Sequence, residues 1–128
     1  MGQEMVGSVA LVVEDDPWLL QDLVDHFHAA GCLVVAANSA ETSLALLQRG
    51  FQIDIAVIDV RLSGNMDGLE LARVLRAIGC PAPILYVSGF PVHTNQMVTD
   101  SLYHPKPVAA RDVVTISQNL LAGARRAE

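Results

Sequence analysis

The chain has 128 residues, enough for one domain (1–128, core about 8–122) and too few for two of ordinary size. Apolar residues make up 52% but aromatics only 5%, which argues against disorder and requires a core built from Val, Ile, Leu and Ala. The formal charge is −6, with seven arginines and a single lysine, Lys106, scattered along the chain, so the basic stripe of a direct nucleic-acid binder is missing.

Short apolar runs alternate with helical patterns, and the alternation repeats five times. The first run is Val9 to Val13; Asp16 and Pro17 then supply an N-cap and a proline at the first helical position. Leu20, Leu23, Val24 and Phe27 follow at helical spacing, and Gly31 stops that helix. The second run is Cys32 to Ala37, after which Asn38 with Glu41 reads as a capping box for a helix that ends at Gly50. The third run, Ile53 to Val60, has Asp54 near its start and Asp59 near its end. A turn-rich stretch from Ser63 to Gly68 leads into a helix whose expected buried face is Leu71, Ala72, Leu75 and Ile78, with Gly79 ending it. Pro83 to Val87 is the fourth run and Ser101 to His104 a weaker fifth; Phe90 to Asp100 between them is a poor helix former. A last helix is expected from about Ala109 to Leu121, with Val113, Ile116 and Leu120 facing inward.

Such alternation implies a doubly wound parallel sheet with helices on both faces and right-handed crossovers. Ligands of open parallel sheets bind at the carboxyl ends of the strands. There the first run delivers Glu14-Asp15-Asp16, the third Asp59, the fourth Ser88-Gly89, and Lys106-Pro107 follows the fifth. Carboxylates crowded together repel one another, and a hard divalent cation relieves the conflict. Mg²⁺ fits, because it takes oxygen ligands and is typically held by one or two carboxylates plus a phosphate. Asp15 and Asp59 are the expected direct ligands, with Glu14 acting directly or through water. No thiolate or imidazole stands at a spacing that suits zinc. Acids, a cation, a lysine and a hydroxyl together suit phosphoryl transfer, with Asp59 as nucleophile, the metal on one phosphoryl oxygen, Lys106 on another, and the Ser88 hydroxyl or a backbone N–H on the third.

Four segments carry a resemblance: Val12-Val13-Glu14-Asp15-Asp16-Pro17; Ile58-Asp59-Val60-Arg61-Leu62 through Met66-Asp67-Gly68-Leu69-Glu70-Leu71; Tyr86-Val87-Ser88-Gly89-Phe90; and Lys106-Pro107. In this order and over nearly the whole chain, they resemble the receiver domain of two-component response regulators. The resemblance implies a flavodoxin-like sheet of order 2-1-3-4-5. It also implies Asp59 as phosphoacceptor, Glu14 and Asp15 as metal-binding acids, and the backbone carbonyl of Arg61 as the remaining protein ligand. It further implies Ser88 as the hydroxyl that turns toward the phosphoryl group, Lys106 as the family's lysine, a cis bond at Lys106-Pro107, and Tyr103 as a switch aromatic. A histidine kinase or histidine phosphotransfer protein is the implied donor, and an unidentified downstream protein the implied target. The domain is then a phosphoacceptor that phosphorylates and slowly dephosphorylates itself, not an enzyme for external substrates.

Two departures stand out. The turn Leu62-Ser63-Gly64-Asn65 is about one residue longer than the family's common form, and Ser88 to Lys106 is a few residues short, so the family's fourth helix is expected to be truncated or irregular. A standalone or terminal receiver is expected, akin also to receivers of hybrid kinases. No apolar run nears the ~20 residues of a membrane span, and Met1 to Ser8 does not read as a signal peptide. A soluble cytoplasmic protein without membrane insertion is therefore expected. Cys32 and Cys80 read as small buried or half-buried thiols, His26 and His28 as surface residues on different helix faces, and His93 and His104 as structural. Arg125 and Arg126 suit a helix C-terminus and are given no partner. Two rivals are a magnesium-dependent covalent-aspartate phosphatase and a receiver-like interaction module that no longer takes phosphate. Against the first, Arg61 occupies the place two residues beyond the nucleophile where such enzymes carry an acid; against the second, Asp15, Asp59, Ser88 and Lys106 are all present.

Overall fold

A computed structural model of the protein describes residues 5–126. Its sheet has five parallel strands in the order β2-β1-β3-β4-β5: β1 (Val9–Val13), β2 (Leu33–Ala37), β3 (Ile55–Asp59), β4 (Ile84–Ser88) and β5 (Ser101–Pro105). Helices α1 (Pro17–Ala29), α2 (Ala40–Leu47), α3 (Gly68–Ala77) and α4 (Ala110–Arg126) cover it. The parallel sheet covered on both faces is what the alternation predicts, and its order is the one the resemblance implies.

The core lies in two layers, one on each face of the sheet. On one, Leu23 and Phe27 of α1 and Val113, Val114 and Leu121 of α4 close over Ala10, Val12, Ile55, Val57 and Leu85. On the other, Leu71, Ala72 and Leu75 of α3 and Ala40 of α2 pack on Leu11, Val13, Ala56, Ile58, Ile84 and Tyr86. Strands β3 and β4 are buried along their whole length, which is why their sequences are continuous apolar runs and not alternating ones. Register then aligns the functional end: Val13 stands beside Ile58, and Asp59 beside Val87.

Between β4 and β5 the expected fourth crossover helix shrinks to one 3₁₀ turn, Thr94–Gln96. Side chains of the sheet and of α3 tie this irregular segment down. The Tyr86 hydroxyl accepts from the Val98 N–H at 3.3 Å. Arg76, in the last turn of α3, donates to the carbonyls of Cys80 (2.9 Å) and Ala82 (2.8 Å) through one nitrogen and to Thr99 (2.8 Å) through the other. Its planar fork satisfies carbonyls that no regular element would pair.

Several local expectations are corrected. Ser39, not Asn38, caps α2, accepting from the Thr42 N–H at 3.1 Å. The helix begins at Ala40, so Glu41 stands too early to reach back as a capping-box partner and turns to another loop instead. The box that does form is Asp67 with Glu70, at the start of α3. Ile78 is 61% exposed, because α3 stops at Ala77 and Ile78 caps its end outside the apolar stripe. Strand β3 starts at Ile55 and not Ile53; Asp54 is bonded through its carboxylate to the Val9 N–H at 2.8 Å. Helix α4 runs on to Arg126, with Ile116 and Leu120 only half-buried, and Arg125, to which the sequence assigned no partner, donates to the Ser8 hydroxyl at 2.8 Å. Cys32 is buried and Cys80 half-buried, as read. Among the described residues no helix is long and apolar enough to cross a membrane.

Candidate functional site

Strand β1 ends in the core at Val13, and the next two residues emerge at the sheet's carboxyl edge. Asp16 then caps α1, accepting from the Trp18 N–H at 3.0 Å, with Pro17 in the first helical turn. That tight strand-to-helix exit places Glu14 and Asp15 beside the end of β3. Carboxylate oxygens of Glu14, Asp15 and Asp59 all lie within 4.8 Å of one another; Glu14 and Asp59 are buried and Asp15 is exposed. The acids expected to converge do so.

Lys106 completes the cluster. Its ammonium donates to Glu14 Oε1 at 2.8 Å and to Asp59 Oδ2 at 3.2 Å, while its backbone N–H donates to the Ser88 carbonyl at 2.8 Å. The Lys106-Pro107 bond is cis, as the resemblance implies. Burial pushes the Glu14 carboxyl up from 4.5 to about 7 despite the hydrogen bond from Lys106, and the Asp59 charge adds to the rise. For Lys106, burial acts downward, but the bond and charge of Glu14 and those of Asp59 outweigh it and raise the ammonium's pKa.

A pH dependence follows for the metal-free protein. Between pH 4.5 and about 7, folded Glu14 retains a proton that the unfolded chain has released. The native state then binds more protons than the unfolded one, so this group makes stability fall as pH rises through that window. Urea midpoints at about pH 5 and about pH 7.5 measure it; Glu14→Gln is expected to flatten the difference.

Ser88 ends β4 fully buried, and its hydroxyl accepts from the Phe90 N–H at 3.1 Å. The half-buried Tyr103 donates its hydroxyl to the Phe90 carbonyl at 3.2 Å. Arg61 bonds through its backbone N–H to Asp59 Oδ1 at 3.1 Å, and its guanidinium stacks on the Phe90 ring at 4.3 Å. Phe90 therefore links the two residues of the expected switch to Arg61, a contact between loops that sequence spacing does not reveal.

Gly68 matters for a reason the sequence hides. Helix α3 begins directly against the end of β3, with the Gly68 N–H donating to the Val60 carbonyl at 2.9 Å. A Cβ there would lie 2.2 Å from the Asp59 carbonyl oxygen and 2.8 Å from both Ile58 Cγ2 and Val60 Cα. Backbone cannot yield to that overlap cheaply. Gly68→Ala is expected to cost about 2–4 kcal/mol in urea unfolding and to displace Asp59.

The comparisons with known proteins bear on this site. The family model described as "Response regulator receiver domain" matches residues 10–104. The chain belongs to the response-regulator receiver family. Transcriptional regulatory protein AruR of Pseudomonas aeruginosa is 31% identical over 127 residues, covering 92% of this chain and 51% of the relative. Heme response regulator HssR of Staphylococcus saprophyticus is 33% identical over 69 residues, covering 54% and 30%. The chain thus spans about half or less of the curated relatives it matches. A response regulator receiver protein from Sinorhizobium medicae superposes with a TM-score of 0.82 at 32% identity, covering 91% of this chain and 95% of that one. A CheY-like receiver domain protein from Methanospirillum hungatei shares the fold, with a TM-score of 0.83 at 23% identity over 95% and 99% of the two chains.

The receiver's acid cluster fits a hard divalent cation. Its donors are carboxylate oxygens alone, two shielded from water and one open to it, a set that suits an oxygen-seeking ion which keeps some of its waters. A groove of about 670 Å³ opens at the opposite edge, between residues 81–83 and the last turns of α4, and holds none of these acids.

Proposed function

We propose that this receiver takes a phosphoryl group from a phosphohistidine onto Asp59 and changes shape to regulate a partner. The observation that carries the reading is the Lys106 ammonium bridging Glu14 and Asp59 inside a three-carboxylate cluster. Glu14, Asp15 and Asp59, with the Arg61 carbonyl, would hold Mg²⁺, which when bound neutralises charge on the phosphoryl oxygens. The chain's own groups do the rest. An Asp59 carboxylate oxygen attacks phosphorus in line; the P–N bond of the phosphohistidine breaks, its electron pair returning to the imidazole, and an acyl phosphate forms. Lys106 moves from the carboxylate to a phosphoryl oxygen. Ser88 exchanges the Phe90 N–H for another phosphoryl oxygen, which frees the Phe90 peptide and with it the hydrogen bond of Tyr103.

The donor is a histidine kinase or a histidine phosphotransfer protein, and the place of action is the cytoplasm. The domain phosphorylates only itself, and water slowly hydrolyses its acyl phosphate back to the Asp59 carboxylate and inorganic phosphate. The phosphatase alternative lacks a proton donor two residues beyond Asp59, since Arg61 stands there with its guanidinium on Phe90. Beryllofluoride with Mg²⁺ tests the reading by NMR. Amide shifts are expected at Asp59, Ser88, Gly89, Tyr103 and Lys106, with little change at Ile53 and Asp54 across the sheet. An unaltered spectrum would instead favour a module that no longer takes phosphate.

A further inference from the structure

The loop between β3 and α3 runs from Val60 to Asp67 and carries Arg61, two residues beyond the phosphoacceptor. Both ends are anchored. Arg61 bonds through its N–H to Asp59, and Gly68 bonds to Val60 beneath it. Between them, residues 63–65 are exposed, Leu62 and Met66 half-buried. Among the described residues, the backbone of 62–66 is seen to make one hydrogen bond, from the Asn65 N–H to Glu41 Oε2 at 3.0 Å. The contact is close on both sides. Gly64 takes φ +100°, and a Cβ there would stand 2.8 Å from Glu41 Oε1. The loop's apex is therefore seated on the Glu41 carboxylate.

Glu41 itself is well placed to act as a fixed post. It lies in the first turn of α2, where the helix dipole favours a negative charge, and α2 is held by the Ser39 cap. Glu41 touches none of the acids of the cluster in the described hydrogen bonds; its partner is 24 residues away in another crossover.

We propose that Glu41 is a positioning residue: it clasps the active-site loop through Asn65 and Gly64 and so holds the Arg61 end of the loop in its cation-competent place. The inference rests on the proposed function, because it assigns the loop's competence to the cation that Arg61 would help to bind. With the clasp open, the loop samples other conformations, and apparent cation affinity falls in proportion to the competent fraction. What matters is an acceptor oxygen at this place, so glutamine should serve and alanine should not.

The test compares wild type, Glu41→Ala and Glu41→Gln in the whole chain, using acetyl phosphate as donor over a series of Mg²⁺ concentrations, alongside amide hydrogen exchange at Asn65 without metal. For Glu41→Ala, the Mg²⁺ concentration giving half the maximal labelling rate should rise about five- to tenfold, with the rate at saturating Mg²⁺ near wild type and Asn65 exchange faster. Glu41→Gln should stay within about twofold on every count. Unchanged Asn65 exchange in Glu41→Ala, an unchanged Mg²⁺ midpoint, or a Glu41→Gln as impaired as Glu41→Ala would each overturn the clasp. Failure of the wild type to label at any Mg²⁺ concentration would instead remove the underlying reading, and the clasp's functional role with it.

Discussion

Asp59→Asn is expected to take up no measurable phosphoryl group, a loss of more than about a thousandfold, while folding normally. The amide has nearly the carboxylate's shape but no anionic oxygen to attack phosphorus. It can still accept the Arg61 N–H that Asp59 Oδ1 accepts at 3.1 Å. On the other side, its NH₂ would face the Lys106 ammonium, which retains Glu14 at 2.8 Å. One buried charge also leaves a site where burial already makes ionisation costly. Stability should therefore stay within about 1 kcal/mol of wild type. Labelling with acetyl phosphate, read beside a urea titration, separates lost chemistry from lost structure. A labelled Asp59→Asn would move the phosphoacceptor elsewhere.

Lys106→Met should lower stability and phosphoryl transfer while strengthening cation binding. The ammonium is the cation now serving Glu14 and Asp59, whose side chains are only 3% and 5% exposed. Methionine fills similar space without charge, leaving two buried carboxylates facing each other. Removing one partner of a buried ion pair costs about 3–5 kcal/mol when the other charge is stranded. Here Glu14 can take up a proton, its pKa already standing near 7, so the loss should be greater at about pH 8 than at about pH 6. Divalent cations should bind more tightly, since no ammonium competes for the same oxygens. Phosphoryl transfer should nevertheless fall by about 10²–10³, because a preorganised positive charge on a phosphoryl oxygen is lost. Calorimetric Mg²⁺ titration and labelling rates on the same protein check both signs. Weaker cation binding in Lys106→Met would show that the lysine organises the acids instead of competing for them.

The site was legible in the sequence because strand ends bring it together. Asp59 closes a run with no polar residue after Asp54, and in a parallel sheet that run must end beside the one closed by Glu14 and Asp15. Lys106 was placed only by the motif around it, since a lone lysine carries no periodic signal. The weak fifth run and the poor helix before it were also readable, because Thr94, Asn95 and Thr99 disfavour a helix.

What could not be read depends on contacts between distant segments. Arg76 and Glu41 look like ordinary polar positions on helices, yet one hooks carbonyls 4 to 23 residues away and the other seats a loop 24 residues on. Gly68 read as a turn and helix-start residue, although its lack of a Cβ is required by the backbone of Asp59. Ile78 kept the helical spacing but lost burial, because periodicity does not say where a helix stops.

The most direct measurement is intact-protein and peptide mass spectrometry after incubation with acetyl phosphate, with and without Mg²⁺. A gain of one phosphoryl group per chain is expected, located on the peptide containing Asp59, dependent on Mg²⁺ and lost on treatment with hydroxylamine, which cleaves acyl phosphates. Labelling elsewhere, labelling indifferent to the metal, or none at all would contradict the assignment of these acids and this lysine to a phosphoryl-accepting pocket.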